Sequence, residues 1–575
     1  MHFLSQVVKN QMKKLWVHTP YDAEEVAYLH QTLKINPIFC QLLVQRNIKT
    51  YEMAERFFRP DLNHLHDPFL MKGMEKAVRR IVKAIIKKEK ILVYGDYDVD
   101  GTTSVALMYL FLKQYHEHID FYIPDRSEEG YGVSMQGVEY AAEHSFSLIL
   151  SLDCGIKAVE QVKAASEKGI DFIICDHHLP EAALPNAVAV LNPKQKDCPY
   201  PYKELSACAV GFKLAQAFAL FNDIDFENLK ALLDLVVVSL ACDLVPLTGE
   251  NRVLAHWGLE RLNNSPRVGF EAIRIILNRA AVYSVQDIVF GIGPMINAAG
   301  RLEHAKQAVN LLIEDNKARA LEKARQLATK NQKRREIQAH IVEEALALVE
   351  GNARFGDEKA TVLYKEDWHK GVIGIVASRM METYYRPTIV LTKSRGKVVG
   401  SARSVGGFDI HEALNRCGDL LLNFGGHKYA AGLTLEIDKL VEFKQRFEHV
   451  VQQSIIKEAL KPVQIIDAEI TLDAINPKFW KILKQFAPFG PGNMRPVFLS
   501  KSLKDTGRSK LIREQHIQLI VHREALDPMQ GIAFNFGKYF GKVATRRPFQ
   551  ACYVVEENAF RKQSKLRINV KDLRF

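Results

Sequence analysis

The chain contains 575 residues, of which 47% are hydrophobic and 25% are charged. These proportions are ordinary for folded globular proteins, exclude a fibrous or largely disordered chain, and with this length predict several domains. No segment approaches the roughly 18 uncharged apolar residues of a membrane-spanning helix, so we expect none. The first residues lack the apolar stretch of a secretory signal, and none of the eight cysteines forms a Cys-x-x-Cys pair. We therefore expect a cytoplasmic protein with free thiols.

The net charge of +11 is distributed unevenly along the chain. Residues 91–250 contain 10 basic and 24 acidic residues, whereas residues 461–575 contain 21 basic and 10 acidic residues. The excess in the second segment equals the whole net charge of the chain. This segregation predicts one region that gathers cations and another that binds a polyanion such as nucleic acid.

Short apolar segments alternate with helix-patterned segments after a basic run at residues 76–90. In chain order, the predicted elements are strand 91–94, helix 104–114, strand 148–150, helix 158–168 and strand 172–175. This alternation is typical of a parallel α/β sheet, and we assign residues 76–305 to such a domain. Residues 1–75 precede it as an N-terminal segment, and residues 1–14 have no assigned role.

The second half of the chain predicts three further regions. Residues 306–349 contain neither glycine nor proline and are rich in alanine, leucine and charged residues, which favours one or two long helices in a connector at 306–352. Strand-like and helix-like segments then predict a smaller α/β domain over residues 353–460. From residue 461 to residue 575, short apolar runs dominate, which favours a small β-barrel.

Three aspartates, Asp96, Asp98 and Asp100, occupy alternate positions directly after the first predicted strand. Clustered carboxylates raise the free energy of a fold unless a cation lies among them. An EF-hand loop follows a helix and requires a glutamate where Leu107 stands, so that interpretation fails. Three interpretations stay open at this loop: a haloacid-dehalogenase phosphatase, which uses the pattern from Asp98 to Thr102, a binuclear metal phosphoesterase, and a solvated acidic turn.

Two further loops with metal-binding side chains follow predicted strands. Asp153 comes after the second strand, and Asp176, His177 and His178 come after the third. Because the carboxyl ends of parallel strands meet at one edge of a sheet, ligands gather there. Carboxylate together with imidazole suits Mn²⁺ or another borderline divalent ion, and a haloacid-dehalogenase phosphatase has no need of a histidine pair. Asp243, which follows an apolar run, is a fourth candidate ligand.

Taken together, the patterns Asp-Tyr-Asp-x-Asp-Gly, Asp-x-Gly, Asp-His-His and the later aspartate resemble the DHH phosphoesterase superfamily. Further motifs resemble the RecJ exonucleases within it, which degrade single-stranded DNA from the 5′ end. These motifs are, in order, Asn297–Leu302, Trp368–Gly374, Gly400–Ser404, Gly425–His427 and Pro488–Asn493. The resemblance extends from about residue 15 to the C-terminus. It implies a parallel-sheet DHH domain, a helical connector, a smaller α/β DHH-associated domain and a C-terminal OB-like β-barrel.

The resemblance implies two divalent ions, Mn²⁺ or Mg²⁺, in the active site. The ligands that it implies are Asp98, Asp100, Asp153, His177 and Asp243, with Asp153 as the bridge. His178 is then a transition-state contact or general acid, and Asp96 and Asp176 orient the ligands. Tyr94 stands where the family II pyrophosphatases of the superfamily carry a histidine ligand, so we expect one ion to have a protein ligand fewer.

The resemblance also implies residues that hold the phosphates of the substrate. They are Arg126, Arg301, Ser401, Arg403, Gly425, Gly426 and His427. Ser401, Arg403 and the Gly425–His427 loop are expected to hold the 5′ phosphate, because a guanidinium binds phosphate bidentately and glycines let the backbone approach it. Arg126 is expected to help, and Arg301 to contact the scissile or adjacent phosphate. Surface salt bridges are the alternative for these two arginines.

The basic C-terminal block is expected to bind single-stranded DNA through an oligonucleotide-binding fold. Its candidate phosphate contacts are Lys501, Lys504, Arg508, Lys510, Arg513, Arg546, Arg547, Arg561, Lys562 and Lys565. Its candidate base-stacking side chains are Phe534, Phe536, Tyr539, Phe540 and Phe549. Filling of the barrel core is the alternative for these aromatic side chains.

These expectations combine into a metal-dependent 5′→3′ exonuclease that degrades single-stranded DNA to 5′ mononucleotides in DNA repair and recombination. A cleft between the two α/β domains that is too narrow for duplex DNA would exclude paired strands. The alternatives are a DHH-family phosphodiesterase acting on short RNA or cyclic dinucleotides, and a non-catalytic nucleic-acid-binding scaffold. The family further implies single-strand-binding protein and a RecQ-type helicase as partners, and no membrane.

Overall fold

The structure is a computed structural model that describes residues 13–126, 128–278, 282–522, 527–558 and 565–575. It divides into two compact units. The first unit contains residues 52–333 and 486–494, and the second contains residues up to 51, residues 334–485 and residues 495–575. Within the described ranges, no helix combines the length and the apolar character that crossing a lipid bilayer requires.

Strands and helices are numbered in chain order. The strands are β1 (Leu15–His18), β2 (Lys90–Gly95), β3 (Ile119–Tyr122), β4 (Phe146–Leu152), β5 (Asp171–Cys175), β6 (Ala189–Leu191), β7 (Thr361–Tyr364), β8 (Thr388–Ser394), β9 (Lys397–Arg403), β10 (Asn423–His427), β11 (Ala430–Leu435), β12 (Val463–Ile466), β13 (Ala468–Glu469), β14 (Phe498–Asp505), β15 (Lys510–Ile512), β16 (His516–His522), β17 (Met529–Ala533), β18 (Phe549–Asn558) and β19 (Lys565–Arg574). The helices are α1 (Ala23–Leu33), α2 (Pro37–Val44), α3 (Tyr51–Phe58), α4 (Met74–Ile86), α5 (Val99–Lys113), α6 (Met135–Glu143), α7 (Val159–Glu167), α8 (Ala207–Phe221), α9 (Glu227–Lys230), α10 (Leu233–Cys242), α11 (Gly249–Asn264), α12 (Val268–Ile276), α13 (Val285–Asp287), α14 (Gly293–Leu302), α15 (Lys306–Leu312), α16 (Lys317–Glu350), α17 (Ile373–Tyr384), α18 (Ile410–Asn415), α19 (Leu440–Ser454), α20 (Pro477–Lys484) and α21 (Phe540–Ala544).

A parallel sheet forms the centre of the first unit. Its strand order is β3-β2-β4-β5-β6, and all neighbouring strands are parallel. The strands predicted at residues 91–94, 148–150 and 172–175 lie within β2, β4 and β5, so the predicted parallel sheet is confirmed. Sequence reasoning missed β3 and β6, which are short strands of 4 and 3 residues.

Both faces of this sheet are covered by helices. Helices α4, α5, α8 and α10 pack on one face around Ile91, Val93 and Leu150. Helices α6 and α7 cover the other face around Leu92 and Ile149. Successive residues of one strand enter opposite cores, and this is why the strands are continuous apolar runs instead of alternating patterns.

Residues 486–494 pack on the first unit although they are distant from it in sequence. Leu247 donates its backbone N–H to the carbonyl of Pro491 at 2.7 Å. The buried guanidinium of Arg252 donates to the carbonyl of Phe486 at 3.0 Å. These hydrogen bonds hold in place the turn that the Pro-Phe-Gly-Pro-Gly-Asn motif predicts.

The second unit contains a mixed sheet in the order β10-β11-β9-β8-β7, which is parallel only between β7 and β8. Helices α18 and α19 pack on one face. Helix α17 and the last turns of α16 pack on the other. This is the smaller α/β arrangement that the sequence predicts.

A β-barrel completes the second unit. Its strand order is β13-β14-β18-β19-β17-β16-β15, and β14 also pairs with β16, where Lys504 lies opposite His522. This additional pairing closes the strands from β14 to β16 into a ring, as expected for an OB-like barrel. Strand β1 pairs in parallel with β12, so residues near the N-terminus also belong to this unit.

The aromatic side chains of the barrel differ in their exposure. Phe536 and Phe549 are 4% and 2% exposed. They fill the barrel core, which was the alternative to base stacking for these side chains. Phe534 is 48% exposed, whereas Tyr539 and Phe540 are half-buried. Phe534 therefore remains the most accessible of the predicted stacking side chains.

Most of the predicted phosphate contacts of the barrel are exposed. The exposed ones are Lys501, Lys504, Arg508, Lys510, Arg513, Arg546 and Arg547. Arg561 and Lys562 lie outside the described residues, and the side chain of Lys565 is not described. The basic excess of the C-terminal block is therefore largely available to a polyanion.

Helices α15 and α16 occupy the predicted helical connector. Helix α16 alone has 34 residues. The interruption between them, at residues 313–316, lies near the start of the region. The domain limits inferred from the sequence stay predictions.

A buried ion pair joins two helices of the first unit. The ammonium of Lys213 on α8 lies 3.0 Å from a carboxylate oxygen of Glu250 on α11, and both side chains are inaccessible to solvent. The same carboxylate accepts hydrogen bonds from the Tyr200 hydroxyl at 2.6 Å and from the His66 backbone N–H at 3.0 Å. Removal of one member of the pair leaves a buried charge without compensation.

Replacement of Glu250 by alanine should therefore lower the free energy of unfolding by about 3–5 kcal/mol. Chemical denaturation followed by circular dichroism measures this loss. Glu227 is the matched control, because its ion pair with Lys230 is exposed and its replacement by alanine should change stability by less than about 1 kcal/mol. Equal effects of the two substitutions would contradict the expected cost of leaving the buried Lys213 without its partner.

Candidate metal centre

The loop after β2 places three aspartates at the carboxyl end of the strand. Asp98 caps α5, because its Oδ1 accepts a hydrogen bond from the Gly101 N–H at 3.0 Å. Asp100 lies in the first turn of α5, where the helix dipole favours a negative charge. Glycine is required at position 101, since a Cβ there would lie 2.3 Å from the carbonyl oxygen of Asp96. The tight turn therefore gathers the three carboxylates at one edge of the sheet.

Asp100 is held by donors from two other helices. Its Oδ2 accepts a hydrogen bond from the Ala207 N–H at 2.8 Å, and its Oδ1 accepts one from the Cys208 N–H at 3.0 Å. The hydroxyl of Ser239 on α10 donates to Oδ1 at 2.6 Å. Because Ala207 and Cys208 begin α8, a second helix N-terminus stabilises the negative charge.

Asp153 follows β4 with a left-handed backbone, φ 62°. Aspartate adopts this conformation at a lower free energy than most residues other than glycine. Its backbone N–H donates to the carbonyl of Cys175, the last residue of β5, at 3.0 Å. This hydrogen bond places Asp153 beside the histidine pair that follows β5.

Asp176 organises the two histidines. Its Oδ1 accepts hydrogen bonds from the backbone N–H groups of His177 at 2.7 Å and His178 at 3.1 Å, and it lies 2.7 Å from Nδ1 of His178. Burial alone would raise the pKa of Asp176, but hydrogen bonds led by the one from His178 outweigh burial and lower the pKa to about 2. Asp176 is therefore ionised at neutral pH, which supports the orienting role predicted for it.

His177 lies among three of the predicted ligands. Its Nε2 is 3.3 Å from Asp153 and 3.8 Å from Asp100, and its Nδ1 is 3.6 Å from Asp243. Both ring nitrogens are buried, and neither makes a hydrogen bond within the described residues. Burial lowers the pKa of His177, so its imidazole is neutral at neutral pH, which is the form that binds metal ions.

Burial and mutual repulsion destabilise the ionised carboxylates of this cluster. Both causes raise the pKa values of Asp96, Asp98 and Asp153, and they raise the pKa of Asp243 to about 9. Three overlapping groups have ligand atoms within 4.8 Å of one another: Asp153 with His177 and His178, Asp100 with His177 and Asp243, and Asp96 with Asp98 and Asp153. Oxygen and imidazole donors that share an excess of negative charge fit a divalent cation such as Mn²⁺.

Asp96 lies closer to the predicted ligands than its predicted orienting role requires. Both of its carboxylate oxygens are buried, and its ligand atom groups with those of Asp98 and Asp153. Tyr94 is fully buried, and its hydroxyl donates to the carbonyl of Gly132 at 3.2 Å. Asp96 is therefore better placed than Tyr94 to supply a further ligand.

Arg126 and Arg301 both lie near Tyr97, beside the cluster. The Arg126 guanidinium lies 4.9 Å from the centre of the Tyr97 ring. A Cβ on Gly300 would lie 2.8 Å from the Tyr97 carbonyl oxygen, so this glycine allows the helix that carries Arg301 to approach. Burial raises the pKa of Tyr97 to about 12, and both arginines oppose the rise because their positive charges are close.

In the second unit, the predicted phosphate-binding residues lie on adjacent strands. Ser401 and Arg403 are on β9, and Nη1 of Arg403 donates to Oγ of Ser401 at 2.9 Å. Ser401 pairs with Gly432 on β11, which pairs with Gly425 on β10. Of these three paired residues, only Ser401 has a side chain, because the other two are glycines. The Gly425–His427 segment is exposed at the edge of the sheet.

The start of α17 approaches the same residues. A Cβ on Gly374 would lie 3.0 Å from Oγ of Ser401 and 3.2 Å from Nη2 of Arg403. Nε of Arg403 also donates to the Ser378 hydroxyl at 3.1 Å, which fixes the guanidinium. A hydroxyl, a guanidinium and exposed glycine backbone are groups that bind phosphate, and phosphate binding here stays a prediction.

Three family models match the chain. The DHH family N-terminal domain matches residues 90–240, the DHHA1 domain matches residues 357–453, and the RecJ OB domain matches residues 466–572. These matches correspond to the parallel sheet, the smaller mixed sheet and the β-barrel.

Relatives match nearly the whole chain. The single-stranded-DNA-specific exonuclease RecJ of Escherichia coli is 33% identical over 560 residues, which cover 94% of this chain and 96% of the relative. The chain belongs to the RecJ family. The RecJ protein of Bacillus subtilis is 37% identical over 530 residues, which cover 92% of this chain and 66% of that longer relative.

Solved RecJ structures share the fold. RecJ of Thermus thermophilus in complex with Mn²⁺ has a TM-score of 0.83 and 26% identity, and the match covers 97% of this chain and 79% of that chain. An exonuclease RecJ bound to manganese has a TM-score of 0.60 and 32% identity, and the match covers 69% of this chain and 98% of that chain. Three interpretations were open for the loop that contains Asp96, Asp98 and Asp100. Membership of the RecJ family favours the metal phosphoesterase over the haloacid-dehalogenase phosphatase and the solvated turn.

Sequence reasoning missed three residues of this candidate metal centre. The Tyr131 hydroxyl lies 3.0 Å from Nε2 of His178, Ser239 donates to Asp100, and the charge of Lys194 acts on two members of the cluster. Only Ser239 has a sequence signal, because its hydroxyl interrupts the apolar run of α10. The other two lie in loops whose path the local pattern does not reveal.

Replacement of Asp153 by asparagine should weaken Mn²⁺ binding at least about tenfold, because it removes a charged donor from the centre of the cluster. Asparagine also tolerates a positive φ, so the fold should persist. Isothermal titration calorimetry with Mn²⁺ measures the affinity. Asp315 has a 93% exposed side chain, and its replacement by asparagine is the control that should leave the affinity unchanged. Unchanged affinity in D153N would remove Asp153 from the metal site.

Proposed function

We propose that this RecJ family member is a metal-dependent exonuclease that degrades single-stranded DNA in the 5′→3′ direction to 5′ mononucleotides. The observation that carries the proposal is the convergence of buried carboxylates and His177 at one sheet edge. It occurs in a chain that matches single-stranded-DNA-specific exonucleases almost end to end. Strand polarity and the nature of the product rest on the phosphate-binding residues of the second unit.

Two divalent ions, Mn²⁺ or Mg²⁺, fit the donor set of the first unit. We assign their binding to Asp98, Asp100, Asp153, His177 and Asp243, with Asp96 adjoining them. RecJ of Thermus thermophilus has been solved in complex with each of these ions. When bound, such ions activate water for attack and neutralise charge on the phosphate.

The protein's own side chains position the scissile phosphate and a proton. Asp176 fixes Nδ1 of His178, so that Nε2 of that ring, beside the Tyr131 hydroxyl, contacts the phosphate or donates a proton to the departing oxygen. Arg126 and Arg301 stand beside the carboxylate cluster and supply positive charge to phosphate oxygens. The surface salt-bridge alternative is less favoured for Arg126, because its guanidinium lies over the Tyr97 ring.

The 5′ end is assigned to the second unit. Arg403 is held by Ser378 and Ser401, so its guanidinium is preorganised to bind a terminal phosphate. The exposed backbone of Gly425–His427 is open to the same ligand. Recognition of a terminal phosphate would set the direction of degradation.

We assign the binding of single-stranded DNA to the barrel. Its exposed lysines and arginines contact phosphates, and Phe534 stacks on a base. A role in DNA repair and recombination, with single-strand-binding protein and a RecQ-type helicase as partners, is proposed from the family resemblance alone.

The alternative functions are not favoured. A phosphodiesterase for short RNA or cyclic dinucleotides would not need the RecJ OB domain that residues 466–572 match. A non-catalytic scaffold would not need the intact set of buried carboxylates and imidazoles.

Digestion of end-labelled single-stranded DNA with Mn²⁺ tests the proposal. A 5′ label should appear first as a mononucleotide, a 3′ label should stay on progressively shorter products, and duplex DNA should resist. Shortening from the 3′ end would overturn the polarity, and the absence of cleavage would overturn the nuclease.

The same assay tests the 5′-end assignment with Arg403→Ala. Because the substitution removes the guanidinium that binds the phosphate, kcat/KM for a 5′-phosphorylated strand should fall about 10–100-fold, with a smaller decrease for a 5′-hydroxyl strand. Arg416→Ala, at an exposed position of the same unit, should leave both values unchanged. An equal decrease on both strands would contradict recognition of the terminal phosphate.

Simultaneous replacement of Lys504, Lys510 and Arg513 by alanine should reduce the salt dependence of single-strand binding. The slope of log affinity against log salt should fall by about 0.7 for each phosphate that is no longer neutralised. Fluorescence anisotropy at several salt concentrations measures this slope.

The matched control replaces three exposed lysines outside the barrel with alanine: Lys397, Lys439 and Lys457. The salt slope of this control should equal that of the unaltered chain. Equal slopes in both triple variants would mean that these barrel residues do not contact the phosphates of the bound strand. Deletion of the whole block is unsuitable, because it also removes residues 486–494 from the first unit.

A further inference from the structure

The Pro488–Asn493 turn carries a motif that the proposed function does not use, and it packs against the loop that follows Asp243. This loop, residues 244–248, joins α10 to α11. The backbone N–H of Leu247, a residue that is 1% exposed, donates to the carbonyl of Pro491 at 2.7 Å. A turn that is distant in sequence therefore contacts the chain shortly after a predicted metal ligand.

Two glycines let the turn approach this closely. A Cβ on Gly492 would lie 2.8 Å from Cγ2 of Thr248 and 3.3 Å from Cβ of Pro246. A Cβ on Gly490 would lie 2.6 Å from Cδ1 of Leu247. Gly492 also has a φ of 72°, in the left-handed region that favours glycine. A side chain at position 492 would therefore push against the loop.

Hydrogen bonds fix the turn itself. Nδ2 of Asn493, whose side chain is buried, donates to the carbonyls of Phe486 at 2.7 Å and Pro488 at 2.9 Å. Arg252 on α11 donates to the carbonyls of Phe486 at 3.0 Å and Ala487 at 2.9 Å. The turn is thus closed on itself and anchored to the helix that the loop enters.

The loop is also held by residues that do not belong to the turn. The carbonyl of Pro246 accepts hydrogen bonds from Nδ2 of Asn251 at 3.0 Å and from the Tyr202 hydroxyl at 3.1 Å. That hydroxyl also lies 3.1 Å from Oγ1 of Thr248. Because the turn supplies only part of these contacts, a change in the turn should shift the loop without unfolding it.

Asp243 depends on this loop for its position. The carboxylate of Asp100 accepts three hydrogen bonds, whereas among the described residues none donates to the carboxylate of Asp243. Its Oδ2 nevertheless lies 3.6 Å from Nδ1 of His177. The next residue, Leu244, has a left-handed backbone with φ 59°, which a leucine adopts only where the surrounding structure imposes it. The backbone before and after Asp243 therefore places its carboxylate.

We propose that the Pro488–Asn493 turn positions Asp243 for metal binding, by holding residues 246–248 in the conformation that turns the chain after α10. The inference rests on the proposed role of Asp243 as a ligand. The residues of the turn are positioning residues, because they act through the loop and not on the metal or the DNA. Packing alone makes a different prediction: substitutions in the turn would lower the stability of the fold and leave the affinity for Mn²⁺ unchanged.

Isothermal titration calorimetry of the full chain with Mn²⁺ tests the proposal through Gly492→Ala. Because the added Cβ meets Thr248 and Pro246, it should displace the loop and weaken Mn²⁺ binding at least about tenfold. Gly169→Ala is the matched control in the same unit. Gly169 has a φ of 74°, and a Cβ on it would meet nothing within 4 Å. Alanine there introduces similar backbone strain without a contact, so the affinity should stay unchanged.

Thr248→Ser supplies a rescue. It removes the methyl group nearest to the added Cβ and keeps the hydroxyl beside Tyr202. Combined with Gly492→Ala, it should restore at least about threefold of the lost affinity.

Asn493→Ala is a second variant, which decides the question if Gly492→Ala does not fold. It loosens the turn without adding an atom to the contact, because it removes the donor to the carbonyls of Phe486 and Pro488. It should weaken Mn²⁺ binding at least about threefold.

Asp243→Asn separates this inference from the proposed function. If Asp243 is a ligand, the substitution should weaken Mn²⁺ binding at least about tenfold. If it does so while Gly492→Ala and Asn493→Ala keep the affinity of the unaltered chain, the positioning role is wrong and the ligand assignment stands. Unchanged affinity in Asp243→Asn would overturn the assignment and this inference with it. An equal loss in Gly492→Ala and Gly169→Ala would also overturn the inference, because general strain would then account for the effect.

Discussion

Repulsion among buried carboxylates is the constraint on which the first unit depends. Several aspartates share one sheet edge, and burial with mutual repulsion raises the pKa of most of them. The fold compensates where it can: Asp100 receives two backbone N–H groups and the Ser239 hydroxyl, and Asp176 receives backbone N–H groups and His178. Divalent cations would neutralise the negative charge that these hydrogen bonds leave uncompensated.

The scaffold around the cluster follows from the same requirement. Parallel strands bring their carboxyl ends to one edge, so residues far apart in sequence meet there without a long loop. The tight turn at Gly101 and the left-handed backbone of Asp153 aim the carboxylates at a common centre. These conformations raise the local free energy, and the continuous apolar cores on both faces of the sheet hold them in place.

Acidic and basic residues of this RecJ protein act in different physical settings. The carboxylates are buried, where the low dielectric strengthens their interaction with a cation. The lysines and arginines of the barrel are exposed, where water and salt screen them and where they can follow a mobile strand.

The sequence by itself determined the parallel sheet, because strands buried on both faces are continuous apolar runs, and it identified the family, because aspartate and histidine motifs follow those strands. Only the tertiary structure decided that Asp96 groups with the predicted ligands, that Tyr131 lies against His178, and that Phe536 fills the core while Phe534 stays exposed. It also decided that residues 486–494 pack on the first unit. The physical reason is range: periodicity and motifs are local, whereas these contacts depend on which distant segments approach within a few ångströms.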